Sequence, residues 1–116
     1  DFSEIKNIIK NITLKSLSNG IPKGTALNVN FPKMKEKAIK GIKICNQANA
    51  YWIEKFDKRI NPQGREYYWL TGEFINNDKS IESDEWALNN GFVSIVPVKF
   101  DLTNHEVIEK IKSWNL

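Results

Sequence analysis

Cys45 and His105 are the only cysteine and the only histidine of the sequence, and they stand far apart along the chain. A metal centre needs several ligands that converge, and the remaining candidates, Asp57, Asp78, Glu82, Asp84, Glu85 and Asp101, are scattered. No ligand cluster is expected. The acidic group Glu82-Ser83-Asp84-Glu85 comes nearest to one, yet a serine followed by two acids is also what the cap and first turn of a helix require, and capping is its expected role. An imidazole can act as acid or base near neutral pH, but His105 has no orienting partner in sight except Asp101, four residues earlier. A local hydrogen bond or an intersubunit contact is favoured for it over catalysis. Cys45 closes the apolar run Ile42-Lys43-Ile44-Cys45, which fits core filler better than nucleophile, and a lone thiol excludes a disulfide within the chain. The six glycines stand singly at turns, so no phosphate-cradling loop is present, and there is no nucleophile elbow.

One segment has residue types suited to binding. Trp52, Phe56, Tyr67 and Trp69, interleaved with Lys55, Lys58, Arg59 and Arg65, are the kinds of side chain that stack bases and neutralise phosphates on single-stranded nucleic acid. The same rings would anchor a protein interface, which is the favoured reading. Net charge supports that choice: at +3 it is mildly basic, and nucleic-acid binders show a stronger excess. Five lysines gather between Lys33 and Lys43, a run read as a solvated face or loop.

The elements that position these residues are legible in outline. Phe2, Ile5, Ile8, Ile9 and Ile12 recur at helical spacing, with Asp1 or Ser3 as cap and Ser18-Asn19-Gly20 before Pro22 as the stop. Leu27, Val29 and Phe31 alternate with Asn28 and Asn30, which predicts a strand ended by Pro32. A short strand follows around Ile42 to Cys45. Two aromatic-rich runs flank Asn61-Pro62-Gln63-Gly64, a reverse-turn sequence, so a long antiparallel hairpin is expected there. The stretch from Phe74 to Ser83 reads as loop and Asp84 to Asn90 as a short helix. Phe92 to Val98 reads as a strand at or near a sheet edge, because Pro97 removes a ladder donor. Thr103 and Glu106 have the spacing of a capping box, ahead of a last helix whose Val107, Ile108, Ile111 and Trp114 share one face. With 116 residues, 41% hydrophobic and 27% charged, one mixed α/β domain is expected. There is no membrane-length apolar run and no signal-peptide pattern, so a cytoplasmic protein is expected. The chain opens without an initiator methionine and almost directly with a helix, which suggests a part of something longer.

Read together, these residues resemble a known family. Lys23-Gly24-Thr25-Ala26-Leu27-Asn28-Val29-Asn30-Phe31-Pro32 is similar to the Gly-Thr-Leu-Leu-Asn-Val-Asn-hydrophobic-Pro strand of the SurE (survival protein E) nucleotidases. Asp84, Ala87, Gly91, Val93-Ser94-Ile95 and Pro97, then Asp101-Leu102-Thr103, are similar to the ending of that family, and Pro62, Gly64 and Tyr67-Tyr68-Trp69 to its hairpin. The likeness runs the whole chain in order. Departures are Ser83 for a common threonine, Phe92 for tyrosine, Val96 for the threonine before proline, and Asn46 where many members are basic. The family's Asn-Asp-Asp-Gly metal motif is missing; Ile75-Asn76-Asn77-Asp78-Lys79 lacks the second acid and the glycine and is rejected as its equivalent.

The resemblance implies the C-terminal part of a Rossmann-like fold with a hairpin extension and a C-terminal helix. On that basis residues 1–47 close the α/β core, 48–75 form the hairpin and 76–116 supply the last strand and helix. It implies a parent phosphatase acting on nucleoside 5′- or 3′-monophosphates with magnesium or manganese, assembled as a dimer or tetramer. No catalytic or metal residue is expected in this chain, and the chain alone is expected to be inactive. Asn28 and Asn30 are substrate-edge candidates; Trp52, Phe56, Tyr67, Trp69, His105 and Trp114 are interface candidates. A single-stranded nucleic-acid module using the hairpin is the alternative.

Overall fold

The computed structural model describes residues 2–33 and 38–114. The elements follow in the order α1 (Ser3–Asn19), β1 (Thr25–Asn30), β2 (Gly41–Ile44), β3 (Ala50–Ile60), β4 (Glu66–Asn76), α2 (Asp84–Asn89), β5 (Phe92–Lys99) and α3 (His105–Lys112). The chain divides into two compact units, Asp1–Asn28 with Pro97–Leu116, and Val29–Val96. Lysines 35 and 37 of the basic run lie outside the described residues.

In the first unit α1 turns Ile5, Ile8 and Ile12 to its half-buried side, while Phe2 and Ile9 of the expected stripe stay exposed. Phe2 occupies the N-cap position and makes no side-chain cap bond; of the two expected caps, Ser3 is the first residue of the helix and Asp1 lies outside the described residues. The stop at Gly20 is as read, with its N–H donating to the Ser16 carbonyl. Neither α1 nor α3 buries a single residue.

The second unit contains the core. Cys45, Ala48, Ala87, Val93, Ile95 and Val96 are its buried apolar side chains, and Ser83 and Ser94 are buried with them. The three-stranded sheet has the order β1-β5-β2. β2 lies parallel to β5, from Gly41 beside Phe92 to Ile44 beside Ile95, and Cys45 N–H extends the ladder by donating to the Ile95 carbonyl at 2.9 Å. β5 is therefore central, which corrects the edge position inferred from Pro97. The register gives the reason: Pro97 lies beyond the last residue paired with β2, and its missing N–H ends that ladder after the Cys45 bond to Ile95 instead of interrupting it.

α2 starts as the sequence indicates. Ser83 Oγ accepts from Trp86 N–H at 3.2 Å and donates to the Ser80 carbonyl at 2.9 Å. Asp84 Oδ1 accepts from Glu85 N–H at 2.8 Å and also from Ala48 N–H at 2.9 Å, tying the base of the hairpin to this helix. The hairpin pairs β3 with β4 from Ala50 beside Asn76 to Ile60 beside Glu66. Its turn is closed by Asn61, whose Oδ1 accepts from Gln63 N–H at 3.0 Å and Arg65 N–H at 2.8 Å, and by Gly64 at φ 78°, a conformation glycine adopts without strain.

Candidate functional site

Cross-strand register decides what the hairpin presents, because side chains alternate between faces and directly paired residues share one. Trp52 pairs with Phe74, Phe56 with Leu70 and Lys58 with Tyr68, so one face presents Trp52, Phe56, Ile60, Tyr68, Leu70 and Phe74. Trp69 pairs with Asp57 and Tyr67 with Arg59, which puts them on the opposite face. The four rings read from sequence as one set are thus two pairs facing opposite ways. On the first face Trp52 and Phe74 pack with centroids 5.4 Å apart, yet Trp52 remains 64% and Phe56 68% exposed.

Three of the hairpin's four cations are already engaged. Lys58 pairs with Glu66 at 2.6 Å, Arg59 with Asp57 at 2.8 Å while lying over the Trp69 ring at 5.1 Å, and Lys55 with Glu73 at 3.5 Å. A strand-binding groove needs cations facing a phosphate track beside the stacking rings. Here the rings are divided between two faces and three of the four cations are paired locally with acids, an arrangement suited to a protein interface.

Below the hairpin, Asp78 Oδ2 accepts from Asn49 N–H at 3.1 Å and Oδ1 from Ser80 N–H at 2.8 Å, and these bonds hold the carboxyl below its ordinary pKa. Lys43 Nζ donates to the Ile81 carbonyl at 3.1 Å and lies 4.7 Å from the Trp86 ring centre. Asp78 and Asp84 thus serve the backbone. Among the described residues no three of the His, Cys, Asp and Glu side chains converge as a metal site would require. The residues described in this chain do not fit a divalent ion. Burial pushes the Cys45 thiol up, away from the thiolate a nucleophile needs.

In the first unit, Asp101 organises the approach to α3. Its Oδ2 lies 2.7 Å from His105 Nε2 and its Oδ1 accepts from Thr103 N–H at 2.9 Å. Bonding to His105 first, and to Thr103 next, holds the Asp101 carboxyl at about 2. These bonds displace the expected capping box: Asn104 takes the N-cap position with no side-chain cap bond, and His105 N–H donates to the Thr103 carbonyl at 3.1 Å. The Asp101 to His105 pairing itself is as read from the sequence. Val107, Ile111 and Trp114 are exposed, Trp114 to 58%. A pocket of ≈ 440 Å³ lies at the start of α3, lined by Lys23, Gly24, Lys99, Phe100, Asp101, Thr103 and His105. Sequence reading passed over it, since Lys23 and Lys99 are far apart in the chain and carry no motif. On β1, Asn28 is exposed and Asn30 half-buried, and both are engaged in contacts.

The crystal structure of the SurE protein from Aquifex aeolicus superposes on this chain with a TM-score of 0.68 at 38% identity, covering 99% of this chain and 46% of that one. The class is α/β with the Rossmann-like architecture of that protein. Among curated proteins, the 5′-nucleotidase SurE of Christiangramia forsetii is 60% identical and that of Flavobacterium psychrophilum 58% identical, each over 116 residues, all of this chain and 45% of the relative. The family model for Survival protein SurE matches residues 1–54. The chain belongs to the SurE family, and corresponds to the C-terminal half of its members. It spans less than half the length of the curated relatives it matches. Among the described residues no helix is long and apolar enough to cross a membrane.

Proposed function

We propose that this chain is the supporting and assembling part of a cytoplasmic nucleoside 5′- or 3′-monophosphate phosphatase that works with magnesium or manganese. The observation that carries the proposal is the set of apolar surfaces the chain leaves uncovered beside relatives named 5′-nucleotidase SurE: Trp52 at 64%, Phe56 at 68% and Trp114 at 58% exposure. Burying a large apolar side chain is worth about 1.5–3 kcal/mol, so such surfaces stabilise a protein only when something covers them. The hairpin and α3 therefore dock on further copies, making a dimer or tetramer through Trp52, Phe56, Tyr67, Trp69, His105 and Trp114.

Phosphate removal with a divalent ion requires clustered oxygen ligands that polarise the phosphoryl group and activate water. The proposal assigns those ligands to the part of the relatives that this chain does not span, and no step is assigned to this chain's residues. Asn28 and Asn30, polar residues on a strand of the α/β core, belong to the substrate edge and orient the loops that hold nucleotide. Asn28→Ala in the full-length protein is expected to change turnover or nucleotide affinity several-fold; unchanged kinetics would remove the asparagine from the proposal. Hydrolysis of nucleoside monophosphates by the full-length protein, supported by magnesium or manganese and abolished by a chelator, is the expected result. A full-length protein inert toward every nucleoside monophosphate would overturn the reading.

A further inference from the structure

We propose that the pocket beside α3 binds an organic phosphomonoester carrying a planar ring, with nucleoside monophosphates as its representative class. The pocket lies within the first unit, between the residues leading into β1, Lys23 and Gly24, and the turn from β5 into α3. Its ≈ 440 Å³ falls in the range of small-molecule sites, roughly 300–1,000 Å³, and exceeds what a lone inorganic anion fills.

Its charges favour a dianion. Asp101 is the only carboxylate on the wall, and both of its oxygens are occupied, one by His105 at 2.7 Å and the other by Thr103 N–H at 2.9 Å. Lys23 and Lys99 on the same wall form no ion pair among the described residues, unlike the hairpin's Lys55, Lys58 and Arg59. Two ammonium groups against one carboxylate, which Lys99 also helps to keep ionised, leave a net positive charge on the pocket lining.

The remaining wall is apolar. Phe100 is 84% exposed, so its ring is open to a planar ligand in the pocket. Gly24 makes room for the ring: a Cβ there would meet Phe100 Cε1 at 3.1 Å, and its φ of +77° disfavours any side chain. An aromatic face beside two lysines recognises a ring and its phosphate together, by the stacking that every planar base offers and by charge.

The test is equilibrium binding of AMP to the full-length protein in EDTA, comparing it with Lys23→Ala/Lys99→Ala, with Phe100→Ala and with a control, Lys10→Ala/Lys15→Ala, on α1. The parent should bind one more AMP per chain than the double lysine variant. Phe100→Ala should weaken AMP at this site at least tenfold while leaving competition by inorganic phosphate nearly unchanged. Equal stoichiometry in parent and lysine variant, or an equal loss in the control, would overturn the proposal. Phosphate competing as well as AMP, with no effect of Phe100→Ala, would overturn the planar-ring assignment. Binding is read without turnover, so failure here is distinguishable from failure of the phosphatase reading.

Discussion

Ser83 and Asp101 show how single polar side chains set the ends of helices in this protein, one as the sequence indicates and one against it. Ser83 is 1% exposed and bonds both to Trp86 N–H and to the Ser80 carbonyl; Ser83→Ala removes the cap from Trp86 N–H, while the Ser80 carbonyl keeps the Ser83 N–H. A loss of about 1–2 kcal/mol is expected in urea unfolding of the full-length protein, with an unchanged slope. Asp101 predicts a pH effect. Its carboxyl is held at about 2 in the folded state against an ordinary 3.8, so the stability it contributes is present above pH 4 and is lost as pH falls toward 2. Asp101→Asn should flatten the acid limb of the stability profile within that window; an unchanged acid limb would show that the His105 and Thr103 bonds contribute nothing to folding. The cap at Ser83 was legible because a serine and two acids act on the turn they begin. The capping box at Thr103 misled for an equally local reason: Asp101, two residues earlier, takes Thr103 N–H and the His105 ring, and the helix starts later.

At the scale of elements, the hairpin and its turn were readable from Asn61, Pro62 and Gly64, but the distribution of its rings over two faces was not. That distribution depends on register: pairing Arg59 with Tyr67 and Phe56 with Leu70 assigns each ring its side, and no count along one strand supplies it. The central place of β5 was hidden in the same way, since Pro97 marks an edge only where a neighbour strand needs its N–H. The register makes a prediction for assembly. Phe56→Asp puts a charge among the rings of this face, two residues from the Lys58–Glu66 pair, and should weaken the oligomer at least tenfold in sedimentation or dilution experiments, as loss of an interface anchor does. Unchanged association would show that this face lies free. For α3, deleting residues from Thr103 onward in the full-length protein should lower oligomeric state or speed subunit dissociation, because Val107, Ile111 and Trp114 are left exposed by this chain. A deletion variant with the parent's oligomeric state and dissociation behaviour would mean that the helix packs on its own chain.

For the whole molecule, the family and the α/β class were legible because local motifs recur in the same order along the entire chain, from Gly24-Thr25 to Asp101-Leu102-Thr103. The candidate pocket was not, because a pocket gathers residues distant in sequence, and Lys23 meets Lys99 only through folding. What a chain of this kind does is set by what it lacks as well as by what it presents: among the described residues the buried core lies in one unit, and Asp78 and Asp84 accept from backbone amides. The central claim is that this chain supports and assembles a metal-dependent nucleotidase whose catalytic ligands lie elsewhere in the full-length protein. Phosphate release from AMP, measured side by side for the full-length protein and the purified 116-residue chain with manganese, with magnesium and with EDTA, tests it most directly. The account predicts metal-dependent turnover by the full-length protein and none by the chain; metal-dependent turnover by the chain alone would contradict it.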